Sequence, residues 1–343
     1  MELVKRDTPA IAPTESQTTY TDADFAISDS TRVRLADSVP ANTRRAYERQ
    51  WRLFTTWCAH PGHGNGRVPL PATAQTFTDY VTHLADQGKA PATIEQAMGA
   101  IRTHHTHAGH DGQPHGKAAL QVLRQYKRQR AENGQRGQRE APPVTIDVLK
   151  AMVGTCDPGT LEGIRDRLVF VLGLAIMGRR SELVALNRDD VVLAPEGLEV
   201  TIRTSKTDKD SRGETVAVPR GEHPITDPVD AYLAWTRALD EAGQRGGRLL
   251  RRLYVHDTIG RSLGADAVNE IVRAAAIKAK VPRAEEYTAH SLRAGGATVA
   301  YAAGIPVSTI AKHGRWSPTS PVLLRYIRPV DRWRDNAMRG VGL

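Results

Sequence analysis

Residues 133–143 read NGQRGQREAPP. Gly, Gln, Arg and Pro in this mix supply no large apolar side chain, so the stretch cannot join a core. A chain of 343 residues broken there must build two cores. The sequence therefore divides into four parts. Residues 1–40 form a flexible arm rich in Thr, Asp, Ala, Ser and Pro. Residues 41–132 form a helical domain, 133–143 a basic linker, and 144–343 a second domain.

The first domain reads as four or more helices. Asn42 is placed to cap TRRAYERQWRLFTTWCAH, in which Tyr47, Trp51, Phe54 and Trp57 recur at helical spacing and face a core. ATAQTFTDYVTHLADQ follows and stops at Gly88. Thr93 and Gln96 make a capping-box start for IEQAMGAIRTHHTHA. KAALQVLRQYKRQRAEN ends strongly basic, and the linker extends the same charge. Arg44, Arg45, Arg124, Lys127, Arg128, Arg130, Arg136 and Arg139 are the candidate phosphate-contacting cations.

The second domain changes character. Thr145 caps IDVLKAMV, and the long apolar helix LEGIRDRLVFVLGLAIM ends at GRRSEL. LEVTIRTS (198–205) and ETVAVP (214–219) flank the polar stretch KTDKDSRG and predict a β-hairpin with a long tip. Thr226 and Pro228 start VDAYLAWTRALDEAG. RLLRRLYVH reads as extended, ADAVNEIVRAAAIKAK as helical, and three short helices finish the chain before DRWRDN. The expected fold is mainly α with a small antiparallel β-sheet.

The 47 Lys and Arg exceed the 38 Asp and Glu, a formal charge of +9 that favours a polyanionic partner. The longest apolar run, LVFVLGLAIMG, is far short of the roughly 20 residues of a spanning helix. The start of the chain lacks the apolar core of a signal peptide. Two cysteines, Cys58 and Cys156, suit a reducing compartment and give no disulfide framework. The expected location is the cytoplasm.

The candidate chemistry lies in the second domain. In TAHSLRAGGATVAYAAG, His290 and Arg293 stand three apart at a helix start and share a face. Arg179 follows the apolar helix in MGRRSEL, Lys206 sits in the hairpin tip RTSKTDKD, Trp316 in HGRWSP and Tyr326 in LLRYIRP. Two guanidiniums, an ammonium, an imidazole and a phenol suit a phosphodiester. Arginine forks match phosphate oxygens and can stabilise a pentacoordinate transition state. A phenol, of pKa about 10, needs a base or a cationic field to act as a nucleophile.

MGRRSEL, TSKT, HSLR, GRW and RYIR, in that order and spacing, resemble the tyrosine recombinase (phage integrase) family, and the HSLR…GRW…YIR end is similar to its Cre-like members. The resemblance covers residues 140–335, and NTRRAYERQWRLFTTWC extends it more weakly to a core-binding domain. It implies a site-specific DNA recombinase that cuts and rejoins DNA through a 3′-phosphotyrosine bond and a Holliday junction, without metal, ATP or another cofactor. Arg179 and Arg293 match the two catalytic arginines, with Arg180 competing for the first role against the register of Ser181, Glu182 and Leu183. Lys206 matches the lysine that protonates the leaving 5′ oxygen, with Lys209 as alternative. His290 handles the nucleophile's proton or supports the phosphate, Trp316 donates its indole N–H to a phosphate oxygen, and Tyr326 attacks. Glu182 holds a cationic partner in place. Between Trp316 and Tyr326 the chain is slightly longer than in Cre-type proteins. Tyr287 and Tyr301 are rival phenols assigned to packing, and His313 contests the role of Trp316. The resemblance also implies a homotetramer on double-stranded DNA with paired inverted-repeat sites, and no small-molecule substrate. A type IB topoisomerase-like enzyme and a catalytically silent DNA-binding protein are the alternatives.

The histidines of HHTHAGHDGQPH, and Cys58, His60 and His63 of CAHPGH, follow no standard zinc spacing, and no metal is expected at them.

Overall fold

The computed structural model describes residues 21, 28–135, 141–205, 213–317, 319–334, 338 and 341. The chain divides into two compact units, 1–139 and 140–343.

The first unit is helical: α1 (Asp29–Ser38), α2 (Ala41–Ala59), α3 (Ala74–Asp86), α4 (Pro91–His107) and α5 (Lys117–Glu132). α2 packs on α4 and α3 on α5. The α2 aromatic row points inward, with Phe54 and Trp57 buried beside Phe77, Tyr80, Ile94, Ile101 and Leu123. Full burial of such a side chain contributes about 1.5–3 kcal/mol.

Three local readings are corrected here. Part of the expected arm is a helix, because Ser28 accepts from the Thr31 amide and caps α1. α2 begins at Ala41 after Pro40, and the Asn42 side chain instead accepts from Arg45. α4 begins at Pro91, where proline's fixed φ starts a helix without a side-chain cap, so Thr93 and Gln96 lie inside it. Gln96 accepts from Gln50 of α2 at 3.2 Å.

The second unit surrounds a larger core. α6 (Ile146–Val153) is capped by Thr145 and α7 (Leu161–Ala175) by Thr160. The short α8 (Arg180–Ala185) leads to a three-stranded antiparallel sheet, β1 (Val191–Ala194), β2 (Gly197–Ile202) and β3 (Glu214–Pro219), in the order β1-β2-β3. The hairpin is β2–β3, paired from Gly197–Pro219 to Ile202–Glu214. The strand VVLA is an addition that its four-residue length hid. α9 (Pro228–Glu241) is capped by Asp227, not Thr226. The extended reading of RLLRRLYVH reduces to two isolated bridges and a 3-10 turn. α10 (Ala265–Lys278), α11 (Ala289–Ala302), α12 (Val307–His313) and α13 (Pro321–Arg334) complete the unit, with α13 running on into DRWR.

α7 is the central strut. Leu168, Val169, Phe170, Val171 and Leu172 are all buried, and α7 touches α9 and α11. α11 closes through two glycines, Gly296 on α7 and Gly295 on the segment before α6. A Cβ at Gly295 would stand 2.2 Å from the Val144 carbonyl oxygen, and one at Gly296 would stand 2.6 Å from that of Leu174. No described helix is long and apolar enough to cross a membrane.

Candidate active site

The start of α11 explains the HSLR stretch. Thr288 accepts from the His290 amide at 3.2 Å, while Ser291 Oγ accepts from the Thr288 amide at 3.1 Å. This capping box starts the helix so that His290 lies at its exposed edge and Arg293 one turn deeper, 2% exposed.

Arg293 donates to the carbonyls of Met177 and Gly314, the latter at 2.7 Å. It thereby ties the turn after α7 to the end of α12. The Trp316 ring covers the guanidinium, with 3.9 Å between Cζ and the ring centroid. Burial, followed by the Arg179 guanidinium, pulls the Arg293 guanidinium down to about 9, so it remains cationic at neutral pH.

Arg179 is the N-cap residue of α8. Its amide donates to Glu182 Oε2 at 2.9 Å, and its Nη1 donates to Glu182 Oε1 and, at 3.1 Å, to Ser205 Oγ beyond β2. Its side chain is 21% exposed, against 2% for Glu182. Arg180 points elsewhere, to Asp266 of α10 at 2.6 Å. Burial pushes the Glu182 carboxyl up. The Arg179 amide and the guanidiniums of Arg315 and Arg179 outweigh burial and hold the carboxyl below its ordinary value.

The phenol lies across from the imidazole. Tyr326 Oη is hydrogen-bonded to His290 Nε2, with ring centroids 5.6 Å apart at 65°. The Trp316 ring meets the Tyr326 ring edge-on, 6.0 Å away. Tyr326 is 9% exposed and rides on α13, which packs against α11. Thr298 of α11 donates to the Tyr326 carbonyl at 3.1 Å.

Arg179, Glu182, His290, Arg293, Trp316 and Tyr326 thus occupy one connected cluster. Lys206 and its alternative Lys209 lie outside the described residues, although Ser205 beside them reaches Arg179. Of the rival groups, Tyr287 is buried and Tyr301 packs at the edge of the α11–α13 core. The His313 ring lies 2.7 Å from the Ala175 carbonyl through Nε2.

Sequence reasoning missed Arg315. It lies in the GRW motif beside Trp316 and is the second guanidinium on Glu182, at 3.0 Å. Its position next to Trp316 was the available signal.

In the first unit, Arg44, Arg45, Arg124 and Arg128 are exposed. Lys127 pairs with Glu95 of α4, and Arg130 turns back over the Tyr126 ring, 5.6 Å from its centroid. Arg136 and Arg139 lie outside the described residues. Among the described residues, no group of three or more His, Cys, Asp or Glu side chains is arranged to hold a metal ion.

No model of a protein family matches the chain. It is 30% identical over 306 residues to an integrase/recombinase xerD homolog of Selenomonas ruminantium, covering 89% of this chain and 86% of that protein. It is 23% identical over 324 residues to recombinase cre of Escherichia phage P1, covering 89% and 91%. Among solved structures it resembles the Tn1549 transposon integrase in complex with transposon right end DNA, with TM-score 0.58, 15% identity, and 87% and 92% of the two chains covered. A λ integrase dimer bound to a COC′ core site gives TM-score 0.56, 14% identity, and 86% and 91% coverage. The structural likeness shows a shared fold, and the sequence relationship along most of both proteins carries the rest. The chain belongs to the tyrosine recombinase family.

Proposed function

We propose that the chain is a site-specific DNA recombinase whose nucleophile is Tyr326. The observation that carries this is the hydrogen bond between Tyr326 Oη and His290 Nε2, beside two arginines and under an indole. Tyr326 Oη attacks the scissile phosphorus, the P–Oη bond forms and the P–O5′ bond breaks. The phenolic proton passes to His290. Arg179 and Arg293 stabilise the charge that gathers on the phosphate oxygens, and the Trp316 N–H adds a donor. Lys206 supplies the proton to the leaving 5′ oxygen. Attack of a 5′ hydroxyl from another duplex reverses these steps and restores a phosphodiester. The phosphotyrosine ester conserves the bond energy, so no nucleotide is consumed.

The relatives named above are an integrase and recombinases, and the structural neighbours hold DNA. On that footing the chain acts on double-stranded DNA at paired inverted repeats, as four copies, and passes through a Holliday junction. The exposed cations of α2 and α5, with the linker arginines, supply phosphate contacts, so binding weakens steeply with salt. The protein works where the chromosome is, in the cytoplasm.

The test is covalent capture. Wild type and Tyr326→Phe are incubated with nicked genomic fragments, denatured in SDS, and the attached DNA is sequenced. Wild-type adducts at one inverted repeat, absent from the variant, support the reading. Adducts scattered over unrelated sequences replace it with the topoisomerase reading. Salt-sensitive binding without any adduct replaces it with the silent binder.

A further inference from the structure

Arg315 has no part in the chemistry above, yet the fold invests heavily in it. Its side chain is 3% exposed. It donates to Glu182 Oε2 at 3.0 Å, to the Ile176 carbonyl at 3.2 Å and to the His313 carbonyl at 3.1 Å. Its backbone is left-handed, with φ 56°, a conformation that costs a non-glycine residue some strain. Burying a guanidinium is itself costly unless the group is paired.

The pairing is shared. Glu182 is buried and carries one negative charge, while Arg315 approaches it from inside and Arg179 from the more exposed side. One carboxylate cannot neutralise two guanidiniums. Arg315 is sealed among carbonyls, so it contributes its charge to Glu182 and cannot reach out. Arg179 is the partner with solvent access.

We propose that Arg315 is a positioning residue for Arg179: by serving as the inner counterion of Glu182, it leaves the Arg179 cation available to the scissile phosphate. Without Arg315, Glu182 is a buried carboxylate whose remaining ion-pair partner among the described residues is Arg179. It then draws Arg179 inward and cancels its field at the phosphate. The inference rests on the phosphotyrosine reading.

The experiment uses the full chain and a nicked duplex carrying the site recovered by covalent capture. The scissile position is either an ordinary phosphodiester or an uncharged methylphosphonate. Arg315→Gln removes the charge, and Glu182→Gln with Arg315→Gln removes both charges together. Adduct rate, DNA affinity and Tm are measured on the same preparations. Arg315→Gln is expected to slow adduct formation on the phosphodiester by roughly 10–100-fold, the scale of a misplaced catalytic group. On the methylphosphonate, which needs less cationic stabilisation, the loss shrinks to less than about threefold. DNA affinity stays unchanged. The double variant regains most of the lost rate, because Arg179 is no longer drawn inward. It also covers the case in which Arg315→Gln fails to fold, since removing both buried partners leaves unpaired only Arg179, the cation with solvent access.

An equal loss on both substrates overturns the inference and makes Arg315 a structural strut. So does an unchanged rate on the phosphodiester, or a double variant slower than the single one. A wild type that traps no DNA overturns the phosphotyrosine reading itself, and this inference with it.

Discussion

The Trp316 indole lies on the Arg293 guanidinium, 3.9 Å from Cζ to ring centroid. The ring both shields the cation from water and fixes its plane, while Arg293 anchors itself to the Met177 and Gly314 carbonyls. Stacking and hydrogen bonding by Trp316 can be separated. Trp316→Phe keeps an aromatic face and loses the N–H. It should hold Tm within a few degrees and slow adduct formation by about tenfold, the worth of one hydrogen bond to a charged group. Trp316→Ala removes the face as well and should cost about 3–5 kcal/mol of stability. Thermal melts and adduct rates check both.

Two adjacent arginines should behave oppositely. Arg179→Ala removes the guanidinium beside Glu182 and Ser205 and should lower the adduct rate by at least about 100-fold. Arg180→Ala breaks only an exposed pair with Asp266 and should cost no more than about 1 kcal/mol, with the rate preserved. Comparable losses in both would place the first catalytic arginine in doubt.

Gly295 admits nothing larger. Its missing Cβ leaves room for the Val144 backbone, and Val144 in turn donates to the Ser291 carbonyl at 3.0 Å. Backbone cannot rotate aside as a side-chain tip can. Gly295→Ala should therefore destabilise the second unit by about 1–3 kcal/mol or more, despite alanine's better helix propensity. Chemical denaturation of the variant measures it. A stabilised variant would mean that the segment before α6 yields freely.

Acid should weaken the first unit. His105 is fully buried. Its Nε2 accepts from the Ala72 amide at 2.8 Å, and Nδ1 donates to the Ile101 carbonyl at 2.7 Å. That arrangement needs the neutral ring. Burial lowers the His105 pKa most, the Ile101 bond opposes it, and His110 adds to the lowering. The unfolded chain takes up a proton near pH 6.5 that the folded ring still refuses. Stability is therefore complete above about pH 6.5 and falls as pH drops below it, until the folded ring also titrates. Hydrogen exchange of α4 amides across pH 7.5 to 5 reads the effect. His105→Gln should flatten the slope that this residue contributes.

The candidate cluster is legible in the sequence because its members stand in short motifs whose side chains suit a phosphodiester. The helices were legible through apolar spacing, as in the α2 aromatics and the α7 run. Caps were less so. Proline at Pro91 overrode the Thr93 capping box, and Asp227 outdid Thr226, because any polar residue near a helix start resembles a cap in one dimension. The strand Val191–Ala194 was too short for its alternation to register. Arg315 escapes because a buried cation looks like any surface arginine until its acceptors, drawn from segments more than a hundred residues away as well as from its neighbour His313, are seen around it. Gly295 and Gly296 stand in plain view after HSLR, but only the fold says which backbones they admit.

The link from Thr298 to the Tyr326 carbonyl bears on how active sites are inherited in an assembly. It fastens the tyrosine to the same helix that bears His290 and Arg293, so one chain carries all three of these candidate groups. Ownership of this kind forbids barter. A copy lacking Tyr326 and a copy lacking Arg293, mixed on one DNA, have no intact centre to lend each other, and the mixture should be as inert as either alone.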